Sequence, residues 1–518
     1  MKELSSKIFK IKDLSTILSE IRKPEHKLKR VLSAFDLIVF GVGVIIGAGI
    51  FATIGTAAAG DALRPGAGPA LTLSFLITAV VCGFAALCYA ELASLVPISG
   101  SAYTYAYATF GELVAWIIGW DLMLEYGVGN IAVALSWSGY FQGFLKGFGV
   151  DLPAWATIDF HSAIKGFEKA AQAISSGTPV DQLTPALQHA WTAIHSAPHI
   201  LGIPIVCNLP ASLVVLFLTF ILVIGIQESA RFNFIIVAIK LAVLAFFICI
   251  GAPHIKPENW VPFAPNGFAG IKAAAAIVFF AFIGFDVVST AAEETKNPQK
   301  DVPKGIIGSL VVCTLIYMSV AAVFTGLVPF AQLQSAVSTQ KAEPLAYAMR
   351  YVNLGWAAGI IAFGALAAQM AVLLVLQMGQ SRIFFSMARD GLLPQVFAKV
   401  HPKFKTPFVT TILTGIIVAI IAGLTNIEEM VDLCNIGTLF AFTLVCLGVI
   451  ILRVKEPHRE RAFKVPFSPV TPLIGAAACI FLMSALPGIT WIRFWVWLAL
   501  GAGVYFLYGI NNSRLHKQ

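Results

Sequence analysis

The sequence predicts an all-α integral membrane protein of twelve spans, arranged as two five-helix repeats of inverted topology plus two peripheral helices. Three observations carry this. The 518 residues are 58% hydrophobic and 12% charged, with a mean hydropathy of +0.83. Many apolar runs exceed the ~18 residues that cross a bilayer. The first run contains GVGVIIGAGIF (residues 41–51), where Gly43, Gly47 and Gly49 weaken a ladder that lipid leaves no other way to satisfy. The sixth, FFAFIGFDVVST (residues 279–290), carries Gly284 and Asp286 at depth. Interruptions five spans apart mark matching positions in two inverted halves, and such breaks face a mid-membrane site. The expected occupant is a small zwitterion, which can use the freed N–H and C=O groups.

Along the chain, the spans centre near residues 46, 80, 127, 217, 242, 279, 316, 370, 416, 441, 478 and 501. Residues 1–32 mix Lys and Arg with Ile8, Ile11, Leu14, Leu18 and Ile21, which fits either an interfacial amphipathic helix or a polar cytoplasmic tail. The first repeat occupies 33–255 and carries an outward insertion at 145–205. Helical periods at 163–174 and 183–194 predict one or two surface helices there. The second repeat occupies 265–455, the peripheral spans 466–511, and a cytoplasmic tail 512–518. The Lys-rich segment ahead of the first span is too polar and too long to be expected as a cleavable leader.

The net charge of +8 is explained by its placement. With the N-terminus inside, twenty-five of the thirty-five Lys and Arg fall on the cytoplasmic face, nine outside, and Lys240 lies in mid-span. That asymmetry follows the positive-inside rule, sets both termini in the cytoplasm, and leaves no need for a nucleic-acid partner. Seven of the eight cysteines lie within spans and Cys207 at the edge of one. There is no CxxC pair or Cys/His ligand spacing, so neither a disulfide framework nor a metal is expected. No Ser/His, Cys/His or HExxH arrangement supports an enzyme.

Four stretches resemble the amino acid–polyamine–organocation superfamily, chiefly its cationic amino acid transporter branch and that branch's bacterial proton-coupled relatives. They are residues 41–51, residues 89–129 (YAELASLVPISGSAYTYAYATFGELVAWIIGWDLMLEYGVG), residues 279–306 and GQSRIFFSMARDGLLP at 379–394. The resemblance implies a LeuT-like fold in which helices 1 and 6 are interrupted. It also implies an amino acid permease of the plasma membrane, working by alternating access with a proton as coupling ion and no cofactor. The runner-up is a cationic amino acid exchanger or facilitative carrier.

The first break is expected to offer the N–H groups of Gly47, Ala48 and Gly49 to a substrate carboxylate, helped by the positive end of a half-helix. Carbonyls of Ile45, Ile46, Phe280 and Ile283 would accept from its ammonium. Relatives often carry a hydroxyl residue where this chain has Ala48. Lys240, too deep to snorkel, is a functional position by default. Burial works against its charge, so it can load and release a proton; the resemblance implies that its ammonium stands where sodium-coupled cousins bind sodium. The alternative is a fixed tie to backbone carbonyls. Asp121 and Glu125 share a face at i, i+4. The resemblance places Glu125 near the substrate path, while Asp286 braces the second break. From the same resemblance, Phe280 covers the substrate and Met370 shortens the side-chain pocket, favouring small neutral amino acids.

Overall fold

The computed structural model describes residues 10–11, 31–95, 101–200, 202–225, 230–340 and 343–516. The expectation for residues 1–32 falls almost wholly outside them. In chain order the helices of the first half are α1 (Ala34–Ile45), α2 (Ile54–Ala59), α3 (Leu71–Leu95), α4 (Ser101–Thr109), α5 (Glu112–Gly147), α6 (Phe160–Ser175), α7 (Pro185–Ser196), α8 (Leu209–Ile224) and α9 (Ala230–Gly251). Then come α10 (Gly267–Val278), α11 (Pro298–Leu327), α12 (Phe330–Gln340), α13 (Pro344–Tyr351), α14 (Gly355–Arg389), α15 (Phe408–Leu424), α16 (Ile427–Lys455), α17 (Val470–Met483) and α18 (Gly488–Val504).

Among the described residues, eight helical stretches are long and apolar enough to cross a membrane. Three shorter apolar helices, α8, α15 and α17, accompany them, as does α5, whose 36 residues include Glu112, Asp121, Glu125 and Lys146. Large apolar side chains such as Phe217 and Phe220 of α8 and Ile420 of α15 stand exposed on the outside, as lipid-facing surface requires. Local signals set the helix starts. Ser33 and Asp36 close a reciprocal capping box ahead of α1, and Asn208 and Asn426 cap α8 and α16. The main pairings are α3 on α11, α5 on α14 and α16, α8 on α15, and α1 on α11.

The insertion at 145–205 folds as α6 and α7, followed by an antiparallel hairpin of two-residue strands, β1 (His199–Ile200) and β2 (Ile203–Pro204). Helical periodicity gave no sign of that hairpin. Ala163, Ala197 and Val206 form its small core with Trp155 and Ile158. It docks on the start of α16, where Glu429 faces His161 at 3.4 Å and Arg493 at 2.8 Å. On the same side, the buried Arg64 guanidinium after α2 reaches Asp61 at 2.7 Å and Asp432 of α16 at 2.8 Å.

Candidate functional site

Both glycine-bearing spans are broken. Helix α1 stops at Ile45, and Ile46 turns to an extended ψ of 96° before a π-turn over Gly49–Thr53 leads into α2. Helix α10 tightens to a 3-10 turn at Phe279–Phe282. It breaks at Ile283 and at Gly284, whose φ of 115° suits glycine, and resumes as 3-10 helix over Phe285–Glu294.

The two breaks meet. A Cβ added to Gly49 would lie 2.2 Å from the Ala281 Cα, and one on Gly284 would lie 2.9 Å from Val44 Cγ1. Only a residue without a side chain permits that approach. The freed carbonyls are distributed among partners. Tyr317 of α11 shares its one hydroxyl hydrogen between Ile45 O at 3.0 Å and Ala281 O at 2.9 Å, bridging the breaks. Tyr140 donates to Phe51 O at 2.7 Å, Thr53 to Gly49 O at 2.6 Å, and Asn435 of α16 to Ala276 O at 2.8 Å. Among the described residues, the Gly47 N–H closes no hydrogen bond with the protein.

Lys240 of α9 is 2% exposed, and its Nζ donates to Gly43 O at 2.8 Å, one turn before the first break. Glu125, on α5, is 4% exposed; it faces Thr438 of α16 and lies within electrostatic reach of Asp286 and Asp121. Asp286 sits over the backbone N–H groups of Gly284 and Val287, with its Oδ1 left without a partner. Asp121 is fully buried with neither carboxylate oxygen partnered, its Oδ1 close against Gly437 of α16. Glu125 therefore stands between two further buried carboxyls, Asp121 on its own helix and Asp286 beyond the second break.

The structure brings Ile45, Ile46, Gly47, Ala48, Gly49, Phe280 and Ile283 into one junction. Phe279, Phe282 and Phe285 are held in ring contacts with Phe442, Tyr317 and Tyr89, whereas Phe280 makes none among the described residues. Ile45 O is already engaged by Tyr317, leaving one lone pair for a ligand. The α14 side chain pressed on the first break is Val372, whose Cγ2 would stand 2.9 Å from a Cβ on Gly47. Met370 is half-buried, two residues and about 200° further round that helix.

Sequence reasoning missed Tyr317, Asn435 and Val372. Asn435 had a signal, since an amide at membrane depth needs a partner on another helix. Tyr317 had little, and Val372 none. Tyr317→Phe should lower uptake about fivefold to tenfold, the loss of its one shared hydroxyl hydrogen costing roughly 1 kcal/mol, with detergent-solubilised thermal stability reduced in step. Wild-type uptake by that variant would show that the bridge is idle.

Comparison with known proteins matches residues 32–506 to the amino acid permease family. A methylthioribose transporter of Bacillus subtilis is 45% identical over 99% of this chain and 100% of its own. A branched-chain amino acid permease of the same organism is 45% identical over the same shares. The vacuolar cationic amino acid transporter 4 of Arabidopsis thaliana is 36% identical over 83% of this chain and 64% of its own.

Proposed function

This chain belongs to the amino acid permease family and is a multi-pass membrane transporter, and from that premise we propose that it imports small neutral amino acids by proton symport with alternating access. The observation that carries the reading is the meeting of two helix breaks beside a buried lysine, with an unengaged Gly47 N–H at the junction. The carboxylate of the substrate takes the N–H groups of Gly47, Ala48 and Gly49; its ammonium takes carbonyls of Ile46, Phe280 and Ile283, and the second lone pair of Ile45. Phe280 closes over it. Lys240 exchanges its proton as its tie to α1 forms and breaks, while Glu125 and Asp286 support the second break.

The cycle is proposed to run on a LeuT-like arrangement of twelve spans. The eight long spans, three shorter apolar helices and α5 make up that number. Helices five spans apart, α3 with α11, α5 with α14 and α8 with α15, pack on one another, as the matched members of inverted halves do. Both termini are proposed to lie in the cytoplasm, with the plasma membrane as location.

A second reading is set by the 45% identity to a methylthioribose transporter. That sugar has neither carboxylate nor ammonium, so it would leave the N–H groups at the break unanswered. The test is uptake of labelled alanine into proteoliposomes, with and without an inward pH gradient, competed by leucine, isoleucine, arginine and methylthioribose. Gradient-driven uptake competed by neutral amino acids is expected. Competition by methylthioribose alone would overturn the substrate class; uptake indifferent to the gradient would favour the cationic exchanger or facilitative carrier. Met370→Ser is expected to admit arginine into the competition, at about tenfold better apparent affinity for a pocket relieved of two heavy-atom positions. An unchanged profile would remove Met370 from the pocket wall.

A further inference from the structure

Where α3 packs against α11, a groove of about 390 Å³ opens on the outer surface of the bundle. Its lining includes the small residues Ala79, Gly83 and Ala86 on α3, and Ile307, Val311 and Thr314 on α11. A Cβ at Gly83 would meet nothing within 4 Å, so the missing side chain leaves open space. Val80, 50% exposed, and Val311, 53% exposed, open that space sideways onto lipid. The Thr314 hydroxyl donates to Leu310 O at 2.7 Å, which leaves the lining apolar.

One end of the groove is basic. Ile307, Val311 and Thr314 recur every three or four residues, and the same spacing runs back through Lys304 to Lys300. Lys304 is therefore one turn, about 5 Å along the axis, beyond Ile307. The 30 residues of α11 span about 45 Å against a hydrocarbon core of about 30 Å, so its first turns stand at headgroup level. Both lysines are exposed, and neither closes a hydrogen bond or ion pair among the described residues. The neighbouring acids do not cancel them. Asp301 is turned about 100° round the helix from Lys300. Glu91, one turn beyond Leu87 on α3, is spent on Arg453 at 2.5 Å and on the Val465 N–H at 2.6 Å.

We propose that this groove is a binding site for one anionic phospholipid, with an acyl chain laid along the opening at Gly83 and the phosphate against Lys304 and Lys300. Lipid tails in the surrounding bilayer are as apolar as the groove, so burying a chain gives no preference for one lipid over another. The groove fixes where the chain lies, and the lysines select the headgroup by its charge. A sterol would fill the apolar part and leave both ammonium groups unanswered. The site belongs to the lipid-facing surface, so it stands apart from the junction of the two breaks and from the identity of the transported solute.

The test is native mass spectrometry of the full chain in detergent, titrated with phosphatidylglycerol or with phosphatidylcholine of the same acyl chains. One phosphatidylglycerol is expected to stay bound at concentrations where phosphatidylcholine is lost. A lysine near an anionic headgroup contributes about fivefold, so Lys300→Gln with Lys304→Gln should weaken retention about twentyfold. Lys399→Gln with Lys403→Gln removes the same charge elsewhere and should leave it unchanged. Gly83→Leu fills the open space with both lysines intact and should weaken retention about tenfold. If that variant does not fold, Val80→Trp blocks the groove from its exposed side. Equal retention of the two lipids overturns the site, as does an equal effect of the two lysine pairs. Full retention by the groove-filling variant would also overturn it, since the lysines would then act as surface charge alone.

Discussion

Gly49→Ala is expected to lower uptake at least a hundredfold while leaving the chain extractable and monodisperse in detergent. An added methyl usually finds a side chain that can give way, at about 1–3 kcal/mol. Here the nearest atoms are the Ala281 Cα at 2.2 Å, its Cβ at 2.6 Å and its N at 2.7 Å, so the two breaks themselves must separate. A shift of about 1 Å in groups that must grip one small substrate costs roughly a hundredfold. Two comparisons calibrate the result. Gly47→Ala meets Val372 Cγ2 at 2.9 Å, a side chain that can rotate, so an intermediate loss is expected. Gly83→Ala meets nothing within 4 Å and should transport normally. Uptake by Gly49→Ala equal to that of Gly83→Ala would mean that the junction is not where substrate passes.

Lys240→Ala is expected to lose gradient-driven uptake about tenfold to a hundredfold, yet to retain exchange of amino acid between equal pools. The ammonium is the donor to Gly43 O at 2.8 Å. A bond from a charged donor contributes roughly 1.5–3 kcal/mol, which converts to those factors. Its loss frees the end of α1 from α9 in every protonation state, so the step that should wait for a proton no longer does. Measuring uptake against external pH and counterflow at equal pH separates the two functions. Full pH-dependent uptake by the variant would remove Lys240 from coupling. Loss of counterflow to the same degree would make the lysine a structural tie.

The two interrupted spans were legible because lipid offers the backbone no substitute partner, which makes Gly47, Gly49 and Gly284 conspicuous in otherwise apolar runs. Lys240 was legible for the related reason that charge at depth is expensive. Tyr317 and Val372 were not, since a tyrosine or valine in a membrane helix is ordinary until its neighbours are known. The convergence of hydroxyls on the buried Glu112 carboxylate was hidden for a different reason. Tyr107 and Glu112 are close in sequence, but Tyr505 and Ser513 reach the same carboxylate from 393 and 401 residues away.

By itself the sequence determined that this chain crosses the membrane many times, that helices near residues 46 and 283 break, and that a lysine is buried at depth. Each follows from local composition set against a solvent that satisfies no hydrogen bonds. Only the tertiary structure decided that Gly49 meets Ala281, that Lys240 is tied to Gly43 and that Tyr317 spans both breaks. Those outcomes depend on which helix faces lie against each other, and packing between distant segments leaves no periodic mark in either one.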